Sequence, residues 1–131
     1  MNETGSVTGV PRLVLRAEGA ALLVVAALLY GRTGESWWLF AVLFLAPDLS
    51  FLGFLSGPRL GAIVYNAAHT LIGPVALGVA GLFSAGTLLT ALALIWAAHI
   101  GFDRLLGYGL KYGAGFGFTH LCRIGCSRDA D

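Results

Sequence analysis

The chain has 131 residues, the length of a single domain, and its net charge of +1 gives no reason to expect a nucleic-acid partner. Hydrophobic residues make up 57% of it and charged residues only 11%, against about 25% charged residues in soluble globular domains. A soluble protein of this size could not bury so much apolar surface, so the composition excludes an ordinary soluble domain and indicates a lipid bilayer as partner.

Four apolar segments are long enough to cross a membrane as helices, since a bilayer core needs about 20 mostly apolar residues. They cover residues 13–30, 37–55, 60–83 and 87–106, and short stretches rich in glycine and serine separate them. Residues 1–11 are expected to form a disordered tail, and residues 108–131 a cytoplasmic tail rich in glycine and aromatic residues. The sequence therefore predicts an all-α fold, a four-helix transmembrane bundle over residues 12–107.

Basic residues give the expected orientation, because loops on the cytoplasmic side of a membrane carry an excess of lysine and arginine. With four spans, the two chain ends and the second loop share one side. That side carries Arg12, Arg16, Arg59, Arg104, Lys111, Arg123 and Arg128. The other side carries only Arg32. Both termini are therefore expected in the cytoplasm.

Polar and ionisable side chains inside membrane spans are costly and mark functional sites by default. At a rise of about 1.5 Å per residue, those of this chain lie between roughly 4 and 14 Å from the cytoplasmic ends of their helices. They are Glu18 in the first span, Asp48 in the second, Asn66 and His69 in the third, and His99 and Asp103 in the fourth. The shared depth favours one polar cavity open to the cytoplasm over unrelated hydrogen bonds between helices, which polar residues in membranes also form.

The spacing within two of the spans places polar side chains in pairs. Asn66 and His69 are three residues apart and His99 and Asp103 are four apart, so each pair shares one face of a helix. An HxxxD pair is common without a metal. Asp103 is also suited to orient the His99 imidazole or to pair with an arginine near the membrane surface.

Imidazole and carboxylate groups in this number suit a divalent metal such as zinc. Pro47 removes a backbone donor and is expected to kink the second helix and aim the following aspartate inward. The predicted metal ligands are Asp48, His69, His99 and Asp103. The other residues expected to line the cavity are Asn66, Thr70, Arg59 and Arg104, and the predicted general acid and base are Glu18 and His120.

Two cysteines, Cys122 and Cys126, lie near the C-terminus in a CxxxC spacing. This is not the CxxC of redox proteins, and no second pair completes a zinc site. They are interpreted as incidental thiols, although a disulfide between them stays open.

Several segments resemble small bacterial membrane proteins of domain-of-unknown-function family 4260. They are "LRAEG" at 15–19, "FLAPDLSFLGF" at 44–54, "GPRLGAIVYNAAHT" at 57–70, "HIGFDRLLGYGLKY" at 99–112 and "FTHLCRIG" at 118–125. That family brings no established activity. The resemblance implies a multi-pass protein of the bacterial inner membrane.

A looser resemblance is to metal-dependent hydrolases of the bacterial inner membrane, which carry a Pro-Asp-hydrophobic-Asp motif, a later histidine near a threonine, and a histidine followed four residues on by aspartate. The similar residues here are Pro47, Asp48 and Leu49, then His69 and Thr70, then His99, Asp103 and Gly107. Ser50 stands where the second aspartate of the first motif would be, and the His-Arg pair of those enzymes is missing. The resemblance implies metal-assisted hydrolysis.

Three functions are compatible with these residues. The first is a membrane hydrolase in which a divalent metal activates water against a lipid-like or isoprenoid-type substrate. The second is a transporter of protons or polar solutes, which would have to be a homo-oligomer because four helices are few for a carrier, and which lacks the internal repeats of that class. The third is a non-catalytic scaffold whose buried polar groups only fix the helix register.

Overall fold

The computed structural model describes residues 7–111, and within them the chain forms five α-helices and one long 3-10 helix. These are α1 (Gly9–Thr33), α2 (Trp37–Leu43), the 3-10 helix (Ala46–Ser56), α3 (Pro58–His69), α4 (Ile72–Leu82) and α5 (Leu88–Leu106). α2 and the 3-10 helix together form one membrane span, as do α3 and α4, so that four segments are long and apolar enough to cross a bilayer. The expected all-α four-helix membrane bundle is thus confirmed, and the cytoplasmic position of the termini stays a prediction.

Helix α1 begins at Gly9, so residues 9–11 are helical although the sequence placed them in a tail. Pro11 lies in the first turn, where a residue without an N–H is tolerated because the first amides of a helix have no partner within it.

The outer surface of the bundle is apolar. Large side chains such as Trp38, Leu55 and Phe83 are each more than 80% exposed. Contiguous apolar surface of this kind would drive association in water, whereas lipid chains cover it at no cost. The protein is a multi-pass membrane protein.

A proline changes the helix type in the second span. The ring of Pro47 clashes with the carbonyl of the residue four positions earlier, Leu43, and it has no N–H to donate. α2 ends at Leu43, and the chain continues as a 3-10 helix of 11 residues. Runs of 3-10 helix longer than three or four residues are uncommon and often mark functional positions. The kink that the sequence predicts at Pro47 is therefore a change from α to 3-10 geometry.

A second proline divides the third span, which the sequence predicts as one continuous helix. Pro74 disfavours an α-helical bond to the carbonyl of Thr70, four residues earlier. Thr70 is extended, with φ −88° and ψ 149°, so α3 ends at His69 and α4 begins at Ile72. His69 consequently lies at a helix end.

Helix α5 contacts both α1 and α4, while α3 packs against the 3-10 helix. α1 and α5 cross where two glycines meet. A Cβ atom on Gly19 would lie 2.8 Å from the carbonyl oxygen of Gly101, and one on Gly101 would lie 2.7 Å from that of Gly19. Arg16 Nε on α1 donates to the Leu105 carbonyl at 2.8 Å, near the end of α5. This contact fixes the position of α5 and hence of His99 and Asp103.

Candidate metal centre

Three elements bring two histidines and two aspartates together. Asp48 lies in the first turn of the 3-10 helix, where its amide donates to the Leu45 carbonyl at 3.0 Å. His69 is the last residue of α3. His99 and Asp103 lie one turn apart on α5. Asp48, His69, His99 and Asp103 form a group that could hold a metal ion, hereafter the His/Asp cluster.

Five of the six distances between the ligand atoms of the His/Asp cluster are short and nearly equal. His69 Nε2 lies 3.4 Å from Asp48 Oδ1 and 3.3 Å from Asp103 Oδ2. His99 Nε2 lies 3.2 Å from Asp48 Oδ1 and 3.3 Å from Asp103 Oδ2. The two Nε2 atoms are 3.2 Å apart. In a tetrahedral zinc site with bonds of about 2.0–2.1 Å, neighbouring ligand atoms are about 3.3–3.4 Å apart, so these five distances match those of such a site. All four ligand atoms lie within 4.8 Å of one another.

Contacts with Tyr65 orient the imidazole of His69. Nδ1 of His69 lies 2.9 Å from the carbonyl oxygen of Tyr65. A carbonyl only accepts, so Nδ1 carries the proton, and in the neutral imidazole Nε2 presents its lone pair to the cluster. The Tyr65 ring also stacks on the His69 ring, with centroids 3.8 Å apart. Metal-binding histidines are commonly fixed in this way by a backbone carbonyl on the far nitrogen.

His99 is held mainly by packing. Its side chain is fully buried, and the Phe44 ring meets it edge-on with centroids 5.5 Å apart. Nδ1 of His99 is buried without a hydrogen bond of good geometry among residues 7–111, although the Phe44 backbone is close enough to act on the imidazole.

The cluster is buried to different degrees on its two sides. His69 and His99 are almost inaccessible, and the exposed fraction of the side chain is 14% for Asp103 and 34% for Asp48. Two carboxylates and two neutral imidazoles carry two negative charges, which a divalent cation would neutralise. Buried charges are usually paired or coordinate a metal, and the chemistry of these donors fits zinc.

The other residues predicted to line the cavity are distributed unevenly. Arg104 borders a narrow cleft beside the cluster together with Tyr65, His69, Asp103 and Tyr108. Thr70 is half-buried at the end of α3, and Arg59 is exposed in the first turn of the same helix.

The two predicted acid–base residues are not brought to the cluster by the described part of the chain. Glu18 is exposed on α1. His120 lies outside the described residues. The catalytic roles of both stay predictions.

Asn66 holds the chain that follows α5. Its side-chain amide donates from Nδ2 to the Lys111 carbonyl at 2.8 Å, and its Oδ1 accepts from the Lys111 amide at 2.7 Å. The segment 107–111 is thereby drawn back across the bundle beside the cluster. We call it the strap.

Lys111 closes the strap over the aromatic ring that supports His69. Its Nζ lies 4.7 Å from the centroid of the Tyr65 ring, within the range of a cation–π interaction. Burial lowers the pKa of the Lys111 ammonium to about 8, while the negative charge of Asp103 opposes that shift. Lys111 thus adds positive charge near the cluster.

We expect Asn66→Ala to release the strap. The substitution leaves the Lys111 amide and carbonyl without these partners, and each unsatisfied buried group costs about 1–3 kcal/mol. Trypsin cleaves after lysine, and Lys111 is only 4% exposed, so cleavage at this bond, followed by mass spectrometry, should accelerate in the variant. Asn66→Asp keeps the acceptor and should fall between the two. Equal cleavage rates for all three proteins would contradict this role of Asn66.

Sequence reasoning did not identify several residues around the cluster as part of the site, among them Phe44, Tyr108, Tyr65 and Lys111. Tyr65 precedes His69 by four residues, a spacing that places the two on one helix face. That spacing was the available signal for Tyr65. No local pattern indicates the contact of Lys111 with Asn66, because the two residues are 45 positions apart.

Comparison with known proteins places the cluster within the range matched by one family model. The model of a family described as Domain of unknown function (DUF4260) matches residues 12–124. No curated protein and no solved structure matches the chain. The matched range includes all four residues of the His/Asp cluster and most of every helix.

Proposed function

We propose that this chain, which belongs to the DUF4260 family, binds one divalent metal ion, zinc or a similar cation, between its membrane helices. The observation that supports this most directly is the convergence of one potential ligand atom from each member of the His/Asp cluster, all within 4.8 Å of one another. Nitrogen and oxygen donors at these separations are those preferred by zinc. The ligands would be Asp48, His69, His99 and Asp103.

The proposed reaction is hydrolysis of a lipid-like substrate in a bacterial inner membrane, with the cluster on the cytoplasmic side. A divalent metal bound there would lower the pKa of a water molecule toward about 7 and polarise a phosphoryl or acyl oxygen. Asp48 is the ligand with the most exposed side chain, so substrate would approach from its side. Glu18 and His120 are the proposed acid–base residues.

One observation favours a second function. Four protein ligands fill a tetrahedral shell, which is typical of structural zinc sites, whereas catalytic sites usually have three protein ligands and an open position. In that case the metal would join α3, α5 and the 3-10 helix without catalysis. Cobalt substitution separates the two functions, because four-coordinate tetrahedral cobalt absorbs visible light far more strongly than five-coordinate cobalt.

Metal binding is tested on the purified full chain by elemental analysis. We expect about one zinc-class ion per chain in the native protein. His99→Ala should lose most of this metal, because the substitution removes a fully buried ligand. Glu35→Gln is the matched control, because that carboxylate accepts a hydrogen bond from Thr87 on another part of the bundle. Absence of a divalent metal from both the native protein and the control, even after incubation with zinc, would refute the proposal.

A further inference from the structure

An apolar groove opens on the lipid-facing side of the bundle, next to the cluster. Its volume is about 250 Å³, and its lining includes Pro47, Ala68, Leu77, Leu92, Ile95 and Trp96. We call it the lipid-side groove. It lies where both prolines interrupt the spans, since Pro47 is the second residue of the 3-10 helix and Ala68 lies in the last turn of α3, just before the break between α3 and α4.

Among residues 7–111, the lining of the groove offers no polar side chain that is free to bind a headgroup. The indole N–H of Trp96 is its one polar side-chain group, and it donates to the Ala68 carbonyl at 2.6 Å. A polar ligand would leave its own groups unpaired there, which is unfavourable. The chemistry of the groove therefore selects hydrocarbon.

The volume of the groove suits part of a lipid molecule and is too small for a whole one. Pockets that enclose a whole drug-sized ligand have volumes of about 300–1,000 Å³, and this one is smaller and open. Val42 and Leu45 are exposed apolar residues next in sequence to the lining residues Leu43 and Ala46, so bilayer lipid is the medium that reaches the opening. A segment of a single hydrocarbon chain matches both its size and its surroundings.

Residues that line the groove are close in the sequence to the ligands of the cluster. Pro47 and Ala68 immediately precede the ligands Asp48 and His69, and Ile95 lies one helical turn before His99. A hydrocarbon chain lodged in the groove would hold the polar end of the same molecule beside the His/Asp cluster.

We infer that the lipid-side groove is the binding site for one hydrocarbon chain of an amphipathic membrane lipid, whose head end lies at the His/Asp cluster. The inference rests on the proposed function, because it assigns the apolar half of the substrate of the same metal site. Such a groove would make the protein specific for a substrate that enters laterally from the bilayer. The bond to be cleaved would lie next to the hydrocarbon chain of that substrate.

The test uses the full chain in nanodiscs of phosphatidylethanolamine that contain a fraction of a photoactivatable diazirine-acyl analogue. Crosslinked peptides are mapped by mass spectrometry. Labelling of the groove should saturate as the mole fraction of the analogue rises, whereas labelling of the general lipid-facing surface should rise in proportion. Leu77→Trp and Leu92→Trp each place a larger side chain in the groove and should lower its labelling about tenfold or more.

Leu82→Trp is the matched control, because Leu82 lies on the same helix as Leu77 and is 77% exposed. It should leave groove labelling unchanged. Zinc content is measured in the same samples and should be equal in all variants. Absence of zinc from the native protein would count against the metal proposal, whereas the labelling results test the groove. Unsaturable groove labelling in the native protein, or equal labelling in Leu77→Trp and Leu82→Trp, would overturn the inference.

Discussion

Asp103→Asn should weaken zinc binding more than about 100-fold and yet stabilise the metal-free protein. Loss of a partner in the outer shell of a metal site already costs about 10–100-fold in affinity, and Asp103 is a proposed direct ligand. A bound metal stabilises the native protein by about 4 kcal/mol at 1,000 times its dissociation constant. In zinc, the variant should therefore unfold at a lower temperature than the native protein.

The opposite sign in chelator follows from the charges. Without a metal, Asp103 Oδ2 lies 3.3 Å from the Nε2 atoms of both His69 and His99, and Asp48 adds a second carboxylate. With both imidazoles neutral and unprotonated at Nε2, the facing atoms are all acceptors and repel one another when no cation lies between them. A buried carboxylate left without a donor costs at least the roughly 1–3 kcal/mol of an unsatisfied neutral group, so the neutral amide should raise the stability of the metal-free protein. Thermal unfolding with excess zinc and with chelator measures both effects.

The same experiment separates a metal site from a purely structural ion pair. If Asp103 served only to pair with protonated histidine, asparagine would remove the partner of a buried cation and destabilise the protein with or without zinc. Glu35→Gln removes a carboxylate remote from the cluster, so its stability relative to the native protein should change by the same amount in zinc and in chelator. Equal destabilisation of Asp103→Asn in zinc and in chelator would refute the metal site.

The pair on α5 is the part of the candidate site that was easiest to predict. His99 and Asp103 lie within one uninterrupted helix, so a spacing of four residues fixes their relation. The rise per residue of a helix is nearly constant, so the position of a residue along its span gives its depth in the membrane. Asp48 and His69 have depths similar to that of the pair on α5, which predicted that the four residues lie together. Composition predicted the four spans for a similar reason, as the thickness of the bilayer sets their length.

The depth of a residue in the membrane does not tell which face of its helix the residue occupies. Glu18 has the depth expected of a cavity residue, but the neighbouring Gly19 faces α5 at the crossing. Successive residues on a helix are about 100° apart, so the face that places Gly19 against α5 leaves Glu18 exposed. Only the packing of two helices decides that face.

The breaks within the spans were only partly predictable. Pro47 was recognised as a kink, but whether the chain resumes as α or 3-10 helix depends on its packing against α3. Pro74 carried the same signal in the third span, where it separates α3 from α4. The strap depends on contacts between residues distant in sequence, such as Asn66 and Lys111, which no local pattern specifies.

Gly101→Ala should destabilise the protein although alanine favours helices. In a helix interior, alanine is better than glycine by about 0.5–1 kcal/mol. Here, however, the new Cβ would lie 2.7 Å from both the Gly19 carbonyl oxygen and the Leu23 amide nitrogen, and backbone atoms cannot rotate away as a side chain can. Overpacking of this kind costs about 1–3 kcal/mol, so α1 and α5 must separate and the midpoint of thermal unfolding should fall.

Gly78→Ala provides the same substitution without the clash. Its added Cβ would lie 3.7 Å from the Ala93 side chain, an ordinary contact, so its stability should equal or exceed that of the native protein. Gly101 is two residues from both His99 and Asp103, or about 200° around α5, so the cluster lies on the opposite face from α1. The folded fraction of Gly101→Ala should consequently keep its zinc while its unfolding midpoint falls. Equal midpoints for Gly101→Ala and Gly78→Ala would show that the α1–α5 crossing tolerates a methyl group, and the close glycine contact would then not be what positions α5.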